Sequence, residues 1–186
     1  MRYFKHQQGA TLIEIMVSIL VMAIGLLGLA SLQINAMKFQ KTASQRSEAT
    51  QAAYDLGERM RSNWVISSVP PANLAADKIA NATKYTYREE YTVSSAATHT
   101  PPNNCRTLTC DTNQIAANDL QEWLRSLQRR LIGGTGIIVP VAGGAEATFD
   151  VTVMWKEPSF SDVDANCPAV ANAPAGVRCF NLRFSI

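Results

Sequence analysis

The feature that most constrains this chain is a long apolar run close to its N-terminus. Between Ile15 and Met37 no residue carries a charge, and about 20 apolar residues in a helix are enough to cross the hydrocarbon core of a bilayer. The apolar region of a typical signal peptide is shorter, at about 7–15 residues. The run therefore predicts one membrane-spanning helix.

Basic residues flank this run on both sides, with Arg2 and Lys5 before it and Lys38 and Lys41 after it. Positively charged leaders tend to remain in the cytoplasm. We therefore expect a single-pass membrane protein, whose C-terminal part lies outside the cytoplasm.

The cysteines also favour a location outside the cytoplasm. All four lie beyond residue 100, namely Cys105, Cys110, Cys167 and Cys179. Zinc sites usually have shorter spacings with histidine nearby, so we expect disulfides and no bound metal. Four cysteines allow three pairings, between which the sequence does not choose, and we favour nearest neighbours. Lys and Arg number 17 against 15 Asp and Glu, a balance that gives no sign of a nucleic-acid partner.

Glu14 stands at the entrance of the apolar run and has two interpretations. Thr11 and Glu14 have the spacing of a capping box, in which both side chains bond amides at a helix start. A charge inside a membrane helix nevertheless costs about 2.5–3.5 kcal/mol at its centre and usually has a partner. Cleavage after Gly9 would create such a partner, because Ala10 would then carry the α-amino group.

The basic leader ending in Gly9, followed by "ATLIEIMVSILVMAIGLLGLASLQ", resembles the class III signal of type IV pilins and pseudopilins. The resemblance implies that a prepilin peptidase cuts after Gly9 and methylates Ala10, although the family usually has Phe at that position. It also implies that Glu14 pairs with the N-terminal amine of a neighbouring subunit. Such a pair would neutralise two charges in an apolar bundle and would set one axial register.

The predicted domains follow from this resemblance. They are a leader at residues 1–9, a transmembrane and filament-core helix at 10–37, and an extracytoplasmic domain at 38–186. The helix should continue from about Ala10 to Asn63, because an apolar stripe at spacings of three and four follows the membrane segment. This stripe should pack on the domain, and it comprises Ile34, Met37, Ala49, Ala52, Ala53, Leu56 and Met60.

A second helix should begin at Asp111 or Thr112 and end before "GGTG" (133–136). Its apolar face comprises Leu120, Trp123, Leu124, Leu127 and Leu131. Alternating patterns predict strands at 147–155 and 178–186, while Pro140 restricts the piece before them to a sheet edge. A further strand is possible at 84–93. The expected fold is α+β and type IV pilin-like, with the long helix on the one buried face of a small antiparallel sheet.

The block "NDLQEWLRSLQRRLIGGTGII" and the strand ending in Trp155 resemble the type IV pilus modification proteins, a subfamily of minor pilins. This resemblance implies a role in priming pilus assembly and displaying a tip adhesin, hence in twitching motility and adhesion. The implied partners are other minor pilins, the major pilin and the adhesin. The implied location is the inner membrane and then the pilus fibre or its tip.

No catalytic constellation or cofactor motif is visible, so we do not expect an enzyme. His6 and His99 have no convincing nucleophile beside them. "SDVDANC" (161–167) resembles the start of a calcium loop, but Cys167 replaces the required Gly and Ala173 the required Glu. A polar turn is the simpler interpretation.

Two other functions remain open from the sequence. A minor pseudopilin of a type II secretion system would share the leader and Glu14. A periplasmic binding protein or enzyme would instead have an ordinary signal peptide, cut after Ala30. The N-terminus of the mature chain separates this last alternative from the other two.

Overall fold

The computed structural model describes residues 11–63, 80, 83–91, 99–141 and 147–186. Its helices and strands are α1 (Leu12–Ser62), α2 (Thr112–Arg130), β1 (Thr135–Pro140), β2 (Thr148–Lys156) and β3 (Val177–Ser185). A short 3-10 helix, Ala169–Ala171, precedes β3. A long N-terminal helix, a second helix and a three-stranded antiparallel sheet form the α+β, pilin-like fold that the sequence predicts, so the predicted fold class is confirmed.

The chain divides into two compact units, Met1–Lys41 and Thr42–Ile186. Within the second unit, α1 buries a row of small and apolar residues, which are Ala49, Ala52, Ala53, Leu56 and Met60. Alanine side chains allow a helix to approach its neighbours closely. Ile34 and Met37 belong to the predicted stripe but are 51% and 61% exposed, so that part of the prediction is wrong. The buried face begins only at Gln45.

Helix α2 begins with a capping box. The Asp111 carboxylate accepts hydrogen bonds from the backbone N–H groups of Asn113 and Gln114, both at 2.9 Å. The Gln114 side chain in turn accepts a bond from the Asp111 N–H at 3.0 Å. These contacts satisfy amides that a helix start leaves without intrahelical partners. Asp111 is therefore the cap, one of the two residues the sequence offers.

The sheet has the strand order β1-β2-β3, and both pairs are antiparallel. Val153 of the central strand lies opposite Gly136 on one side and Phe180 on the other. Pro140 ends the edge strand β1, as expected. It tolerates this place because the N–H of the next residue, Val141, bonds Thr148 of β2, so the proline sits at an outward-facing position.

The main core lies between one face of the sheet and both helices. It contains Phe149, Val151, Val153 and Trp155 of β2, together with the buried rows of α1 and α2. A half-buried row from the C-terminal strand packs against it, comprising Phe180, Leu182, Phe184 and Ile186. The prediction that the second half of the long helix covers the sheet is confirmed.

Part of the opposite face of the sheet is buried as well, so the prediction of one buried face is wrong. A second, smaller core there includes Ile137, Met154, Tyr91 and Ala171. The connection between β2 and β3 supplies Ala171, whose carbonyl oxygen accepts the Tyr91 N–H at 2.7 Å. The long connection therefore folds back over the sheet, which its irregular sequence does not reveal.

The possible strand at 84–93 is also not formed in its described part. Lys84 is helical and only Tyr87 pairs with the sheet, through an isolated bridge to Ile138, while residues 92 and 93 lie outside the described residues. Continuing this antiparallel ladder would bring the chain opposite Pro140, which has no N–H to donate. The ladder therefore cannot extend in that direction, and Tyr87 is the one described residue outside the strands that pairs with this edge.

Candidate functional site

The first part of α1 presents an apolar surface that no other described part of the chain buries. Every residue from 11 to 41 is exposed, and an 18-residue window of the helix reaches a mean hydropathy of 2.5. By length and composition, α1 is long enough and apolar enough to cross a membrane. An aliphatic side chain gains about 1.5–3 kcal/mol on leaving water, so this surface requires lipid or neighbouring apolar helices.

Glu14 lies in the first turn of this helix. Its N–H donates to the carbonyl oxygen of Thr11 at 3.0 Å, and its own carbonyl oxygen accepts the Ser18 hydroxyl at 2.7 Å. The side-chain bonds of a Thr11–Glu14 capping box do not occur among the described residues. Gly9 and Ala10 lie outside the described residues, so cleavage, methylation and the charge pair remain predictions.

Trp123 joins α2 to both α1 and β1. Its indole Nε1 donates to the carbonyl oxygen of Ala52 at 2.8 Å. The far edge of its ring lies on Gly136, where an added Cβ would stand 2.2 Å from Trp123 Cη2. At Gly134 an added Cβ would stand 2.3 Å from the Leu127 carbonyl oxygen. Trp123, Gly134 and Gly136 all belong to the sequence block 118–138. Their close packing forms a joint between α2 and β1.

Arg59 of α1 is the centre of a polar network that the sequence does not reveal. Its guanidinium contacts the carboxylates of Asp55 at 3.0 Å, Asp119 at 3.3 Å and Glu122 at 3.1 Å. Burial alone would lower the pKa of Arg59, but the hydrogen bonds and charges of Asp55, Glu122 and Asp119 together outweigh it and raise the pKa. The Asp55–Arg59 spacing of four was the only local sign of this network. The two contacts to α2 are long-range.

Asp119, which lies inside α2, is the most buried acid of this network. It accepts the Tyr85 hydroxyl at 2.8 Å, and the Asn63 side chain donates to the same hydroxyl oxygen at 3.1 Å. Burial raises the pKa of Asp119, although Tyr85 and Arg59 act against it. Burial likewise raises the pKa of Tyr85. The network fastens α1, α2 and the segment around residue 85 together.

The cysteines form two disulfides. Cys105 pairs with Cys110 across a short loop, and Cys167 pairs with Cys179, with Cα–Cα distances of 5.5 and 5.1 Å. These pairs fit the nearest-neighbour expectation. The second disulfide ties the β2–β3 connection to the start of β3.

The Asp162–Asn166 stretch forms a turn held by one carboxylate. Asp164 is buried and accepts the backbone N–H groups of Asn166 at 3.0 Å and Cys179 at 3.2 Å. Burial alone would raise the pKa of Asp164, but these hydrogen bonds and the charge of Arg178 outweigh it and lower the pKa. Among the described residues, no group of three His, Cys, Asp or Glu side chains could hold a metal ion.

A cleft of about 690 Å³ lies between the 101–106 loop and α2. Its acids, Asp119 and Glu122, already contact Arg59, and the described residues that line it offer no hydroxyl or free thiol. His99, just before this loop, contacts the Gln121 side chain at 2.9 Å. His6 lies outside the described residues. The cleft therefore gives no support to a nucleophilic enzyme.

Comparison with known proteins identifies the N-terminal segment. Residues 4–30 match the prokaryotic N-terminal methylation motif. No curated protein and no solved structure matches the chain. The motif and the exposed apolar helix together support a membrane-anchored protein of the type IV pilin superfamily, a pilin or a pseudopilin. This motif is typical of structural proteins.

Proposed function

We propose that this chain is a minor type IV pilin of the PilV kind, the type IV pilus modification protein. In this role it primes pilus assembly with other minor pilins and supports display of a tip adhesin, hence twitching motility and adhesion. The observation that carries the proposal is the methylation motif at residues 4–30, which runs directly into a helix exposed from residue 11 to residue 41.

The proposed processing begins with a prepilin peptidase. It removes residues 1–9 and methylates Ala10, so that residues 10–37 form the membrane and filament-core helix and 38–186 the periplasmic domain. The protein resides in the inner membrane as a single-pass subunit before it enters the pilus fibre or its tip. Partners there are the major pilin and other minor pilins.

The proposed assembly step depends on Glu14. In a bundle of apolar helices an isolated carboxylate is strongly unfavourable, and a positive charge at the same depth offsets this cost. The N-terminal amine of a neighbouring subunit supplies that charge. Because only one axial stagger brings the two groups together, the pair also sets the register between subunits.

A minor pseudopilin of a type II secretion system would carry the same motif. The joint that Trp123 forms with Gly136 lies in the block that resembles minor pilins, and this favours the pilus. A deletion strain complemented with the gene should regain surface pili. Recovery of type II secretion without pili would instead assign the chain to the secretion system.

The central test is Glu14→Gln, which removes the charge and little else. We expect membrane insertion and leader cleavage to remain normal. Entry into the fibre should fall by a factor of a hundred or more, because leaving one member of a buried charge pair alone costs about 3–5 kcal/mol. Surface piliation and co-purification of the partner minor pilins measure it.

Glu58→Gln is the matched control, since Glu58 is an exposed carboxylate on the same helix and contacts Arg61 at the surface. Exposed pairs of this kind contribute little, so this variant should assemble normally. Normal piliation and normal co-purification in Glu14→Gln would remove the assembly role of Glu14 and leave it as a residue of the helix start.

A further inference from the structure

The two edges of the sheet differ in whether their outward-facing backbone groups are paired or blocked. On β1, Val141 bonds inward to Thr148, so the alternate residues Ile138 and Pro140 face outward. Ile138 exchanges two hydrogen bonds with Tyr87, at 3.0 and 2.8 Å, and Pro140 has no N–H. Natural sheets commonly block their edges by such means. The β1 edge is closed.

Along the second half of the other edge, on β3, the described residues supply neither a bridging residue nor a proline. Ile186 bonds inward to Ala147, so the backbone groups of Arg183 and Ser185 face outward. The β2–β3 register is one-to-one without a bulge, and the strand contains neither Pro nor Lys. The one charged residue in this half, Arg183, is ion-paired with Asp150 of the neighbouring strand. Arg183 and Ser185 are both exposed, and within the described part of the chain no hydrogen bond reaches their N–H or C=O groups.

The first half of the same strand is covered. The Cys179 N–H donates to Asp164 at 3.2 Å, and the Asn181 side chain donates to the carbonyl oxygen of Asn166 at 2.6 Å. Among the residues that the structure describes, this cover reaches to about Asn181. The open part of the edge is a defined segment of residues 182–186.

The side chains of this segment define what would fit beside it. Leu182, Phe184 and Ile186 are only half-buried against the main core, and the Phe184 ring lies 3.6 Å from the Cβ that an alanine would place at Gly57. On the opposite face Arg183 forms an exposed ion pair with Asp150 at 2.6 Å. A neighbouring strand would need apolar residues at alternate positions on the α1 side and polar residues on the other.

We propose that the 182–186 edge of β3 binds an extended segment of a different subunit, which adds a fourth strand to the sheet. Backbone N–H and C=O groups supply the pairing, and the half-buried apolar row selects a segment with apolar residues at alternate positions. This inference rests on the proposed function in one respect only, which is that the chain works within an assembly of several subunits.

The first experiment measures amide hydrogen exchange in the full-length protein in detergent micelles. The N–H groups of Leu182 and Phe184, which face β2, should exchange slowly. Those of Arg183 and Ser185 should exchange at rates close to those of an unstructured chain. Protection of Arg183 and Ser185 in the isolated protein would mean that the chain covers its own edge, and would overturn the proposal.

The second experiment separates backbone pairing from side-chain contact in living cells. A photoreactive benzoylphenylalanine replaces Ser185, in chains that also carry Arg183→Pro or Arg183→Ala. Proline removes the outward N–H but leaves the bonds to β2, whereas alanine removes only the side chain. We expect a crosslink to another polypeptide that survives Arg183→Ala and falls at least tenfold with Arg183→Pro.

The reciprocal pair places the photoreactive residue at Arg183 with Ser185→Pro or Ser185→Ala, and covers the case in which Arg183→Pro disturbs folding. Slow exchange at Leu182 in each variant shows that β2–β3 pairing persists. A crosslink insensitive to both prolines, no crosslink, or a crosslink to a second copy of this chain would overturn the proposal. A proline-sensitive crosslink together with normal assembly of Glu14→Gln would contradict the proposed role of Glu14 and leave the edge pairing intact.

Discussion

At the scale of single residues, close packing constrains both Trp123 of α2 and the glycines that follow this helix. Trp123 occupies space that Gly136 leaves open, so a helix residue and a strand residue depend on each other. Gly133 has a φ of 60° in the turn between them, a conformation that glycine adopts without the strain of a Cβ. Neither relation is visible from spacing alone, because it joins residues through the fold.

The first prediction compares two glycines. Gly136→Ala should destabilise the protein by about 1–3 kcal/mol, because its Cβ overlaps the Trp123 ring. Gly57→Ala is the matched control: its Cβ meets only ordinary contacts at 3.6 Å, and alanine favours the helix by about 0.5–1 kcal/mol. Urea unfolding of the full chain in detergent measures both. Adding Trp123→Phe should recover part of the Gly136→Ala loss, and equal stability of Gly136→Ala and the wild type would contradict the joint.

A second prediction concerns acid. Because the pKa of Asp164 is lowered in the folded state, the unfolded state binds more protons as the pH falls through the usual Asp value near 3.9. Ionised Asp164 therefore stabilises the fold above that pH, and the contribution is lost as the pH falls through the folded pKa. Asp164→Asn should reduce the fall in unfolding free energy between about pH 5 and pH 2.

The control for this pH series is Asp162→Asn, an exposed acid of the same turn. It should leave the acid limb of the stability curve unchanged. If Asp164→Asn and the wild type lose stability in parallel over the whole series, the hydrogen bonds from Asn166 and Cys179 do not hold the charged form.

At the scale of elements, the sequence predicts the helices and strands whose signals come from residues close together in the chain. The long helix, the capped second helix and the alternating strands have periodic signals, and each appears in the structure. The second core and the single bridge of Tyr87 were not predictable, because each depends on a segment distant in sequence. The Arg59 network has the same cause, since α1 and α2 meet only after folding.

The disulfides give a prediction at this scale. In the chain-entropy model a disulfide that closes a loop near 15 residues contributes about 3 kcal/mol, and a shorter loop contributes less. Replacing Cys167 and Cys179 by Ala should therefore destabilise the protein more than replacing Cys105 and Cys110. Replacing Cys167 and Cys179 also removes side-chain volume from the second core, in which Cys179 is buried. Urea unfolding compares the two double variants, and the opposite order would contradict this assignment of their roles.

At the scale of the whole molecule, two units carry separate tasks in the proposed function. Residues 11–41 expose an apolar helix, while the unit from Thr42 to Ile186 contains both cores and both disulfides. Residues 4–30 match the N-terminal methylation motif, and this match links the first unit to prepilin processing. The rest of the proposed function depends on that step.

The most direct test of that step is the N-terminus of the protein recovered from the inner membrane. Peptide mapping by mass spectrometry should find a chain that begins at Ala10 and carries one N-terminal methyl group. Replacing Gly9 by a bulky residue should leave the leader attached and the chain unmethylated. A mature chain that begins at Ser31 would show cleavage by an ordinary signal peptidase, and would contradict the pilin account.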